Sequence, residues 1–254
     1  MSKTIIKLLG IAILGSVAIS MNTVAITAEQ ILKRAEQKLT ASTMIAEMDI
    51  RIKRPKWTKT MSLKTWAKGT DYAVAYITGP DKDKGTVYLK TKNDVYNYLP
   101  KIKKTVKLPA ALLSQNWMGT DMTTDDLVKL TKLTADYRAE LTGSQMVSGR
   151  DCHVIELIPR EEADVLWGKL LLCIDKKDYI QMKTVFYDED EEVVNTMVSS
   201  DVKNLGGTLM AAKMVMTPAG KKGQSTTVTY RSMKFNAPIS NEFFTKANMP
   251  KVNP

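Results

Sequence analysis

The chain has 254 residues, with 37 Lys and Arg against 27 Asp and Glu, so its formal net charge is +10 and its length fits one large domain or two small ones. Its single histidine and two cysteines do not supply a zinc site, and the sequence contains no glycine-rich phosphate loop. A basic protein of this kind is suited to anionic surfaces, although the same charge can serve solubility alone.

The chain begins with the pattern of a secretory signal. Lys3 and Lys7 precede an apolar run from Leu8 to Ile19, and Thr23-Val24-Ala25 offers small residues for cleavage. The run is too short to anchor the chain, and no later segment approaches the roughly 20 apolar residues of a transmembrane helix. Cleavage after Ala25 would leave 254 − 25 = 229 residues with a net charge of +10 − 2 = +8. We therefore predict a signal peptide over residues 1–25 and a soluble, periplasmic mature protein.

The two cysteines bear on lipidation and on pairing. Cys152 and Cys173 lie far beyond the predicted cleavage site, so neither can carry the N-terminal lipid of a bacterial lipoprotein. They fall on adjacent predicted strands, where a hairpin would bring them nearly opposite each other. In an oxidising compartment this arrangement favours a disulfide, and the alternative is a pair of small buried apolar residues.

The mature chain is predicted to start with a helix and to continue in strands. Thr27 with Gln30 three residues later has the pattern of a capping box, and apolar residues recur at helical spacing from Ile31 to Leu39. The hydrophobic period then changes to two, with short turns between the segments. The predicted strands are Met44–Lys53, Thr58–Lys68, Asp71–Thr78, Thr86–Thr91, Asp94–Leu99, Ile102–Leu108, Ala135–Met146, Arg150–Ile158, Trp167–Asp175, Tyr179–Tyr187, Glu192–Asp201, Thr208–Thr217 and Gln224–Phe235.

The alternation stops at the segment SQNWMGTDMTTDDL, residues 114–127. A Trp-Met-Gly step leads into a short predicted helix that Thr123 or Thr124 caps, with acids in its first turn and Leu127 on its buried side. About a dozen strands joined in sequence by tight turns form one antiparallel sheet, which at this width curls into a barrel or half-barrel. We predict a mainly β protein with one domain over residues 26–254.

Charged and titratable residues give little sign of catalysis. Lysines alternate in part with apolar residues over 101–107, which indicates an edge strand with a basic outer face; functional use of that face is the less favoured interpretation. The acids at 188–192 fall in a predicted hairpin tip. His153 alternates with Ile155 and Leu157, which is typical of a packed residue rather than a general base. We expect no enzyme, no metal and no cofactor, and export removes nucleic acid as a usual partner.

Methionine is frequent at strand positions where Val or Ile would be ordinary. Thirteen of the 15 methionines (15 − 2) lie beyond the predicted signal peptide. Methionine is flexible and polarizable, so it suits a surface that accepts variable apolar ligands, and the alternative is an ordinary core. The strand positions concerned are Met44, Met48, Met61, Met182, Met197, Met210, Met214, Met216 and Met233.

Several segments together resemble the outer-membrane lipoprotein-sorting protein family, relatives of the periplasmic lipoprotein carrier LolA. The most specific of them is NWMGTDMTTDDL at Asn116–Leu127. The resemblance implies an incomplete, half-open antiparallel β-barrel whose concave apolar side is covered by a helical lid, with lipid or lipoprotein acyl chains held beneath it. The weaker matching segments are Tyr98–Lys104, Ser148–Leu157, Trp167–Lys169, Ile174–Lys176 and Phe186–Asp188.

The resemblance also implies a site and a function. Trp117 and Met118 would dip into the interior, and Gly119 would allow the lid to reverse. The implied function is a monomeric carrier that receives lipoprotein acyl chains or phospholipid from an inner-membrane transporter and delivers them to an outer-membrane acceptor. The alternatives are an accessory protein of a hydrophobe exporter and a non-catalytic envelope scaffold. The cavity and lid residues expected on this basis are Met48, Trp66, Tyr76, Trp117, Met118, Leu127 and Met214.

Overall fold

The computed structural model describes residues 26–39, 41–124, 133–163 and 165–253, so the predicted signal peptide and Leu127 lie outside the described residues. The described part contains the helices α1 (Ala28–Leu39), α2 (Ala110–Leu113) and α3 (Leu133–Asp136). Its strands are β1 (Thr43–Arg54), β2 (Trp57–Lys68), β3 (Tyr72–Gly79), β4 (Val87–Thr91), β5 (Asp94–Leu99), β6 (Lys104–Lys107), β7 (Tyr137–Val147), β8 (Arg150–Pro159), β9 (Lys169–Asp175), β10 (Gln181–Tyr187), β11 (Val193–Leu205), β12 (Thr208–Pro218) and β13 (Ser225–Phe235).

Helix α1 begins as the sequence predicts. The Thr27 amide donates to Gln30 Oε1 at 3.1 Å, and the Gln30 amide donates to Thr27 Oγ1 at 3.2 Å, which are the two reciprocal bonds of a capping box. The helix buries Ile31 and Leu32 against inward-facing residues of β8 and β9. It therefore covers one half of the concave side of the sheet.

The strands form a single antiparallel sheet in the order β6-β5-β4-β3-β2-β1-β13-β12-β11-β10-β9-β8-β7. At its centre the first strand pairs with the last, where Ile50 lies opposite Val228. From this centre the chain runs outward on both sides, so the two edges, β6 and β7, are consecutive in the sequence. The sheet is open, because its two edges are not paired with each other in this order. The prediction of a mainly β, half-open antiparallel fold is confirmed.

The connection between the two edge strands explains the interruption in the strand pattern. Its described part, residues 108–124, is called the lid segment below. Trp117 of this segment lies in a buried cluster with inward-facing residues of the central strands, including Ile50 and Val228. The lid segment therefore lies over the concave side of the sheet, where α1 leaves it uncovered.

The C-terminal residues cover the outer face of β2, β3 and β4. They contain two short 3-10 turns, Asn241–Phe244 and Met249–Lys251. Phe244 and Met249 are buried there against outward-facing residues such as Leu89. Part of the sheet is thus apolar on both faces, each face covered by a different segment.

Cys152 and Cys173 belong to a small outer cluster on the other half of the sheet. The register pairs Cys152 with Asp175 and Val154 with Cys173. The cysteines are therefore diagonal neighbours, whereas we expected them nearly opposite each other. Both are free and buried, and burial raises the pKa of Cys152 to about 11. Their pairing as a disulfide stays a prediction.

Tyr137, the first residue of β7, packs in the cluster beneath α1. Its burial makes the free energy of unfolding decrease at alkaline pH. Burial, with a smaller contribution from Asp136, raises the pKa of Tyr137 from 10.0 to about 12. The phenol of the unfolded chain therefore ionises at a lower pH than that of the folded chain. The contribution of the neutral Tyr137 phenol to the free energy of unfolding is complete below pH 10 and is lost as the pH rises towards 12.

We expect Tyr137→Phe to reduce this alkaline loss. Between pH 8 and pH 11 the wild type should lose about 1.4 kcal/mol more of its free energy of unfolding than the variant does, as a shift of two pKa units implies at pH 11. Urea unfolding of both proteins at the two pH values measures this difference. An identical pH dependence in the two proteins would contradict the assignment.

Candidate apolar binding site

A cavity of about 290 Å³ lies on the concave side of the sheet. It separates the cluster around Trp117 from the cluster beneath α1, and Met122 of the lid segment packs against both. The cavity is lined by Met44, Ala46, Met48, Thr65, Trp66, Ala67, Ala73, Val74, Ala75, Met122, Phe186, Met197, Met214, Met216, Val228 and Tyr230. The site therefore lies on the inner face of the sheet, with Met122 of the lid segment in its wall.

Small side chains in register leave this space open. Ala46 of β1 lies opposite Thr65 of β2, and Thr65 lies opposite Ala75 of β3. A second pair of small residues, Ala67 and Ala73, is in register beside them. Strands usually present larger β-branched or aromatic side chains at such positions. Small residues on adjacent strands, one opposite the next, therefore create a hollow at the centre of the inner face.

Methionine supplies much of the remaining wall. Met48 and Met214, two of the predicted site residues, lie there together with Met44, Met122, Met197 and Met216. An unbranched thioether side chain can change its rotamer at low cost, so a wall of this composition adapts to apolar ligands of different shape. By contrast, Met182 lies in the outer cluster with the cysteines.

Two predicted site residues point away from the cavity. The ring of Trp66 packs on the outer face, with its centroid 5.2 Å from that of Phe243, although the residue also contributes to the cavity wall. Tyr76 belongs to the same outer cluster and does not line the cavity. The reason is the strand period of two, since Thr65 of β2 and Ala75 of β3 take the inward positions beside these two aromatic residues.

Trp117 fixes the lid segment to the inner face. Its side chain is 2% exposed, and its ring lies edge-on to that of Tyr88, with centroids 5.7 Å apart and an interplanar angle of 74°. Met118 follows in a left-handed conformation with φ 48°, and Gly119 has φ +83°. The predicted reversal at Gly119 thus spans two successive left-handed residues, and glycine is suited to the second by its backbone.

Asp121 holds the lid segment to the sheet through buried polar contacts. Arg54, the last residue of β1, donates from Nη1 to Asp121 Oδ2 at 3.1 Å and from Nη2 to Asp121 Oδ1 at 3.0 Å. Its Nη2 also donates to the carbonyl of Gly119 at 2.6 Å. Thr226 of β13 donates its hydroxyl to Asp121 Oδ2 at 2.7 Å and accepts from the Asp121 amide at 2.9 Å.

This ion pair has the geometry that makes charged hydrogen bonds strong. It is bidentate, and the Arg54 and Asp121 side chains are only 12% and 3% exposed. Removing one partner of such a pair leaves an uncompensated buried charge, which is costly. We therefore describe the Arg54–Asp121 pair as the latch of the lid segment. No local pattern in the sequence indicates this pair, because its partners are distant in the chain.

The chain has a single histidine, which lies on β8. His153 of β8 is half-buried, and burial followed by the charge of Lys176 lowers its pKa. Within the described ranges, no group of three or more His, Cys, Asp and Glu is placed to hold a metal ion. The same part of the chain contains no helix long and apolar enough to cross a membrane.

A second, larger cleft lies between α1 and β7, with a volume of about 430 Å³. Charged residues including Glu29, Lys33 and Arg160 contribute to its lining. Such a lining does not favour an acyl chain, because moving charged groups from water to hydrocarbon is costly even for an ion pair such as Arg160 and Glu29. The smaller methionine-rich cavity is therefore the better candidate for an apolar ligand.

Comparison with known proteins identifies relatives of this architecture. A family model with the description "-like: Uncharacterized protein" matches residues 69–251. None of the curated proteins compared with the chain matches it.

Three solved structures share the fold over most of their length. A DUF1329 family protein from Desulfovibrio piger is 20% identical, with a TM-score of 0.80 over 87% of this chain and 97% of the other. A candidate outer membrane lipoprotein-sorting protein domain from Vibrio parahaemolyticus is 22% identical, with a TM-score of 0.75 over 88% and 99%. A LolA superfamily protein from Nitrosomonas europaea is 23% identical, with a TM-score of 0.74 over 88% and 99%. At these identities the similarity concerns the fold.

Proposed function

This chain belongs to the family whose model matches its residues 69–251, and we propose from its fold and its cavity that it is a periplasmic carrier of acyl chains. The carrier binds the chains of lipoproteins or lipids in the apolar cavity beneath the lid segment and serves outer-membrane lipoprotein sorting. An inner-membrane transporter would load it and an outer-membrane acceptor would unload it. The LolA-like fold and the descriptions of the Vibrio and Nitrosomonas structures support this proposal.

The observation that carries the proposal is the cavity itself. Its volume of about 290 Å³ is close to the lower end of the ~300–1,000 Å³ range of ligand pockets. It is about twice the ~150 Å³ of an engineered apolar cavity that binds benzene. With the lid segment closed, the cavity therefore has room for part of an acyl chain.

The free energy that holds the lid segment closed is comparable to the free energy of burying part of an acyl chain. Burial of Trp117 and Met122 against the inner face stabilises closure by a few kcal/mol. Each methylene of an acyl chain contributes about 0.8 kcal/mol on entering the same surroundings. A few methylenes can therefore compensate for lid contacts that are lost, so binding and release are both accessible.

Mass spectrometry of protein purified from its native envelope tests the proposal directly. We expect acylated peptide or phospholipid to accompany the protein in near-stoichiometric amount. Acylated peptide identifies a lipoprotein carrier, and phospholipid alone favours the accessory role in a hydrophobe exporter. Consistently empty protein would contradict the carrier and favour an envelope scaffold.

A cavity-filling variant makes the same test in vitro. In Ala46→Met with Ala75→Met, two larger side chains flank Thr65 and occupy the hollow. We expect the affinity for a fluorescent fatty acid to fall at least about tenfold, which corresponds to the contacts of roughly two methylenes. Fluorescence titration of wild type and variant measures this change.

The matched control is Ala211→Met, which enlarges a buried alanine in the outer cluster. Overpacking lowers stability by about 1–3 kcal/mol per substitution, so comparison of this control with each single variant, Ala46→Met and Ala75→Met, separates loss of stability from loss of space. It should retain wild-type affinity for the fatty acid. Equal affinity in the cavity variant and in the control would exclude this cavity as the binding site.

A further inference from the structure

Four turns at one end of the sheet form a continuous rim beside the latch. They are the β1–β2, β3–β4, β5–β6 and β12–β13 turns, and the registers Arg54 with Trp57, Leu99 with Lys104 and Lys53 with Ser225 place them at the same end. An ion pair between Lys59 and Asp83, with Nζ and Oδ2 2.8 Å apart, links the first two turns. The residues 54–59, 80–86, 100–104 and 219–224 are called the basic rim below.

The charge of the basic rim is strongly positive on its exposed surface. Its acidic residues are Asp81 and Asp83, and Asp83 is paired with Lys59. The β10–β11 turn at the same end of the sheet carries the opposite charge, with acids over residues 188–192. The exposed lysines of the rim are Lys56, Lys82, Lys84, Lys101, Lys103, Lys104, Lys221 and Lys222. This end of the molecule therefore has a basic side and an acidic side.

Two apolar side chains project from the basic side. Trp57 is 50% exposed next to Lys56, and Ile102 is 58% exposed between Lys101 and Lys103. Apolar groups surrounded by lysines are typical of surfaces that bind the interface of an anionic membrane, where lysines meet the headgroups and apolar groups enter the acyl boundary. Tryptophan in particular combines an apolar body with a polar N–H and favours such interfaces.

We propose that the basic rim docks on the surface of an anionic phospholipid bilayer. The rim lysines contact the phosphate headgroups, and Trp57 and Ile102 enter the interface. Trp57 and Ile102 lie on separate turns, each with lysines beside it. A peptide strand or helix would need a groove to bind in, whereas such separated groups suit the broad charged surface of a bilayer. The acids at 188–192 are repelled by the same surface. The molecule should therefore tilt so that the basic rim faces the bilayer and the acidic turn points away from it.

This orientation brings the latch to the membrane. The guanidinium of Arg54 lies over the ring of Trp57, with Cζ 6.0 Å from the ring centroid, and the same guanidinium holds Asp121 and the Gly119 carbonyl. Membrane contact at Trp57 therefore occurs beside the residues that keep the lid segment closed. The docking itself does not depend on the cargo, so vesicle binding and acyl-chain binding can succeed or fail separately.

Cosedimentation of the mature protein with lipid vesicles tests the proposal. Wild type should bind vesicles of equal parts phosphatidylcholine and phosphatidylglycerol, and binding to phosphatidylcholine alone should be much weaker. Lys101→Gln with Lys104→Gln should lower the affinity for the anionic vesicles about 25-fold, at about fivefold per lysine. Added salt should weaken the wild-type interaction, because the charges are exposed.

The matched control replaces two exposed lysines at the opposite end, Lys177→Gln with Lys234→Gln. It has the same net charge as the rim variant and should lose less than twofold in affinity. Equal losses in the two variants would mean adsorption through net charge alone and would overturn the proposal. Absence of wild-type binding to the anionic vesicles would overturn it as well and would favour an acidic protein as the partner of the rim.

Trp57 reports whether the rim enters the interface. Vesicles with brominated acyl chains should quench part of the tryptophan emission of the wild type. Most of this quenching should be lost in Trp57→Phe, because Trp66 and Trp117 are buried and the half-buried Trp167 lies beside the acidic turn at residues 188–192. Quenching that is unchanged in Trp57→Phe would contradict the proposed orientation.

Discussion

Asp121→Asn is expected to release the lid segment while the sheet stays folded. The substitution preserves shape but removes the charge that Arg54 faces at 3.0 Å. Breaking a buried ion pair from one side costs about 3–5 kcal/mol, because the remaining charge is left without compensation. Since the two partners lie on the lid segment and at the end of β1, most of this cost should appear as opening of the lid segment.

Amide hydrogen exchange locates the effect. The amide of residue 121 donates to Thr226 Oγ1 at 2.9 Å, and this bond joins the lid segment to β13. A loss of about 3 kcal/mol should accelerate its exchange about a hundredfold, while the amides of β1 and β2 exchange at nearly wild-type rates. Unchanged exchange at residue 121 would show that the pair does not hold the lid segment.

A second ion pair, at a partly exposed arginine that also contacts Asp178, provides the control. Arg150 Nη1 lies 2.9 Å from Asp175 Oδ2, and the Asp175 side chain is 4% exposed. Asp175→Asn should therefore also destabilise the protein, but without faster exchange at residue 121. The double variant Arg54→Gln with Asp121→Asn should lose less than the sum of the two single variants, because neither partner remains alone as a buried charge.

The strands could be predicted from the sequence because their signal is local. Alternation at period two, short turns and a capping box at Thr27 are each decided by residues close in the chain, and the structure reproduces them. The latch is different, because Arg54 and Asp121 are separated by most of the first half of the sheet. In the sequence, Arg54 is one cation before a turn and Asp121 one acid before a predicted helix.

The cavity could be predicted only in part, for a related reason. Methionine content indicated an adaptable apolar surface, and Met48 and Met214 do line it. The hollow itself arises where Ala46, Thr65 and Ala75 meet across three strands, and this depends on register. One-dimensional alternation gives the faces of each strand but not which residues of neighbouring strands lie opposite each other.

Trp66 and Tyr76 show how a large aromatic residue can mislead. On β2, Trp66 shares a face with Ser62 and Lys64, whereas the buried Met61 and Leu63 point inward with Thr65. The pattern therefore contained a signal that Trp66 faces outward. The outward aromatic residues need a cover, and the C-terminal residues around Phe244 provide it. This cover is formed by tertiary contacts, which a periodic pattern of apolar residues does not indicate.

Trp117→Ala is expected to accelerate release of a bound acyl chain by at least about a hundredfold. Truncation of a buried tryptophan costs about 3–5 kcal/mol, and Trp117 is 2% exposed within the cluster that holds the lid segment to the inner face. The closed state loses this energy, so the lid segment is open more often and the ligand escapes sooner. Stopped-flow transfer of a fluorescent fatty acid to acceptor vesicles measures the rate.

Phe244→Ala is the control, because it truncates a buried aromatic residue on the opposite face of the sheet that does not line the cavity. Phe244 is 3% exposed and packs on Tyr72 of β3. Its truncation should lower the free energy of unfolding by a similar amount but leave the rate of release near that of the wild type. Phe244 does not contact the cavity, so its loss should not couple to the ligand. Equal rates of release in the two variants would therefore refute a gating role for Trp117.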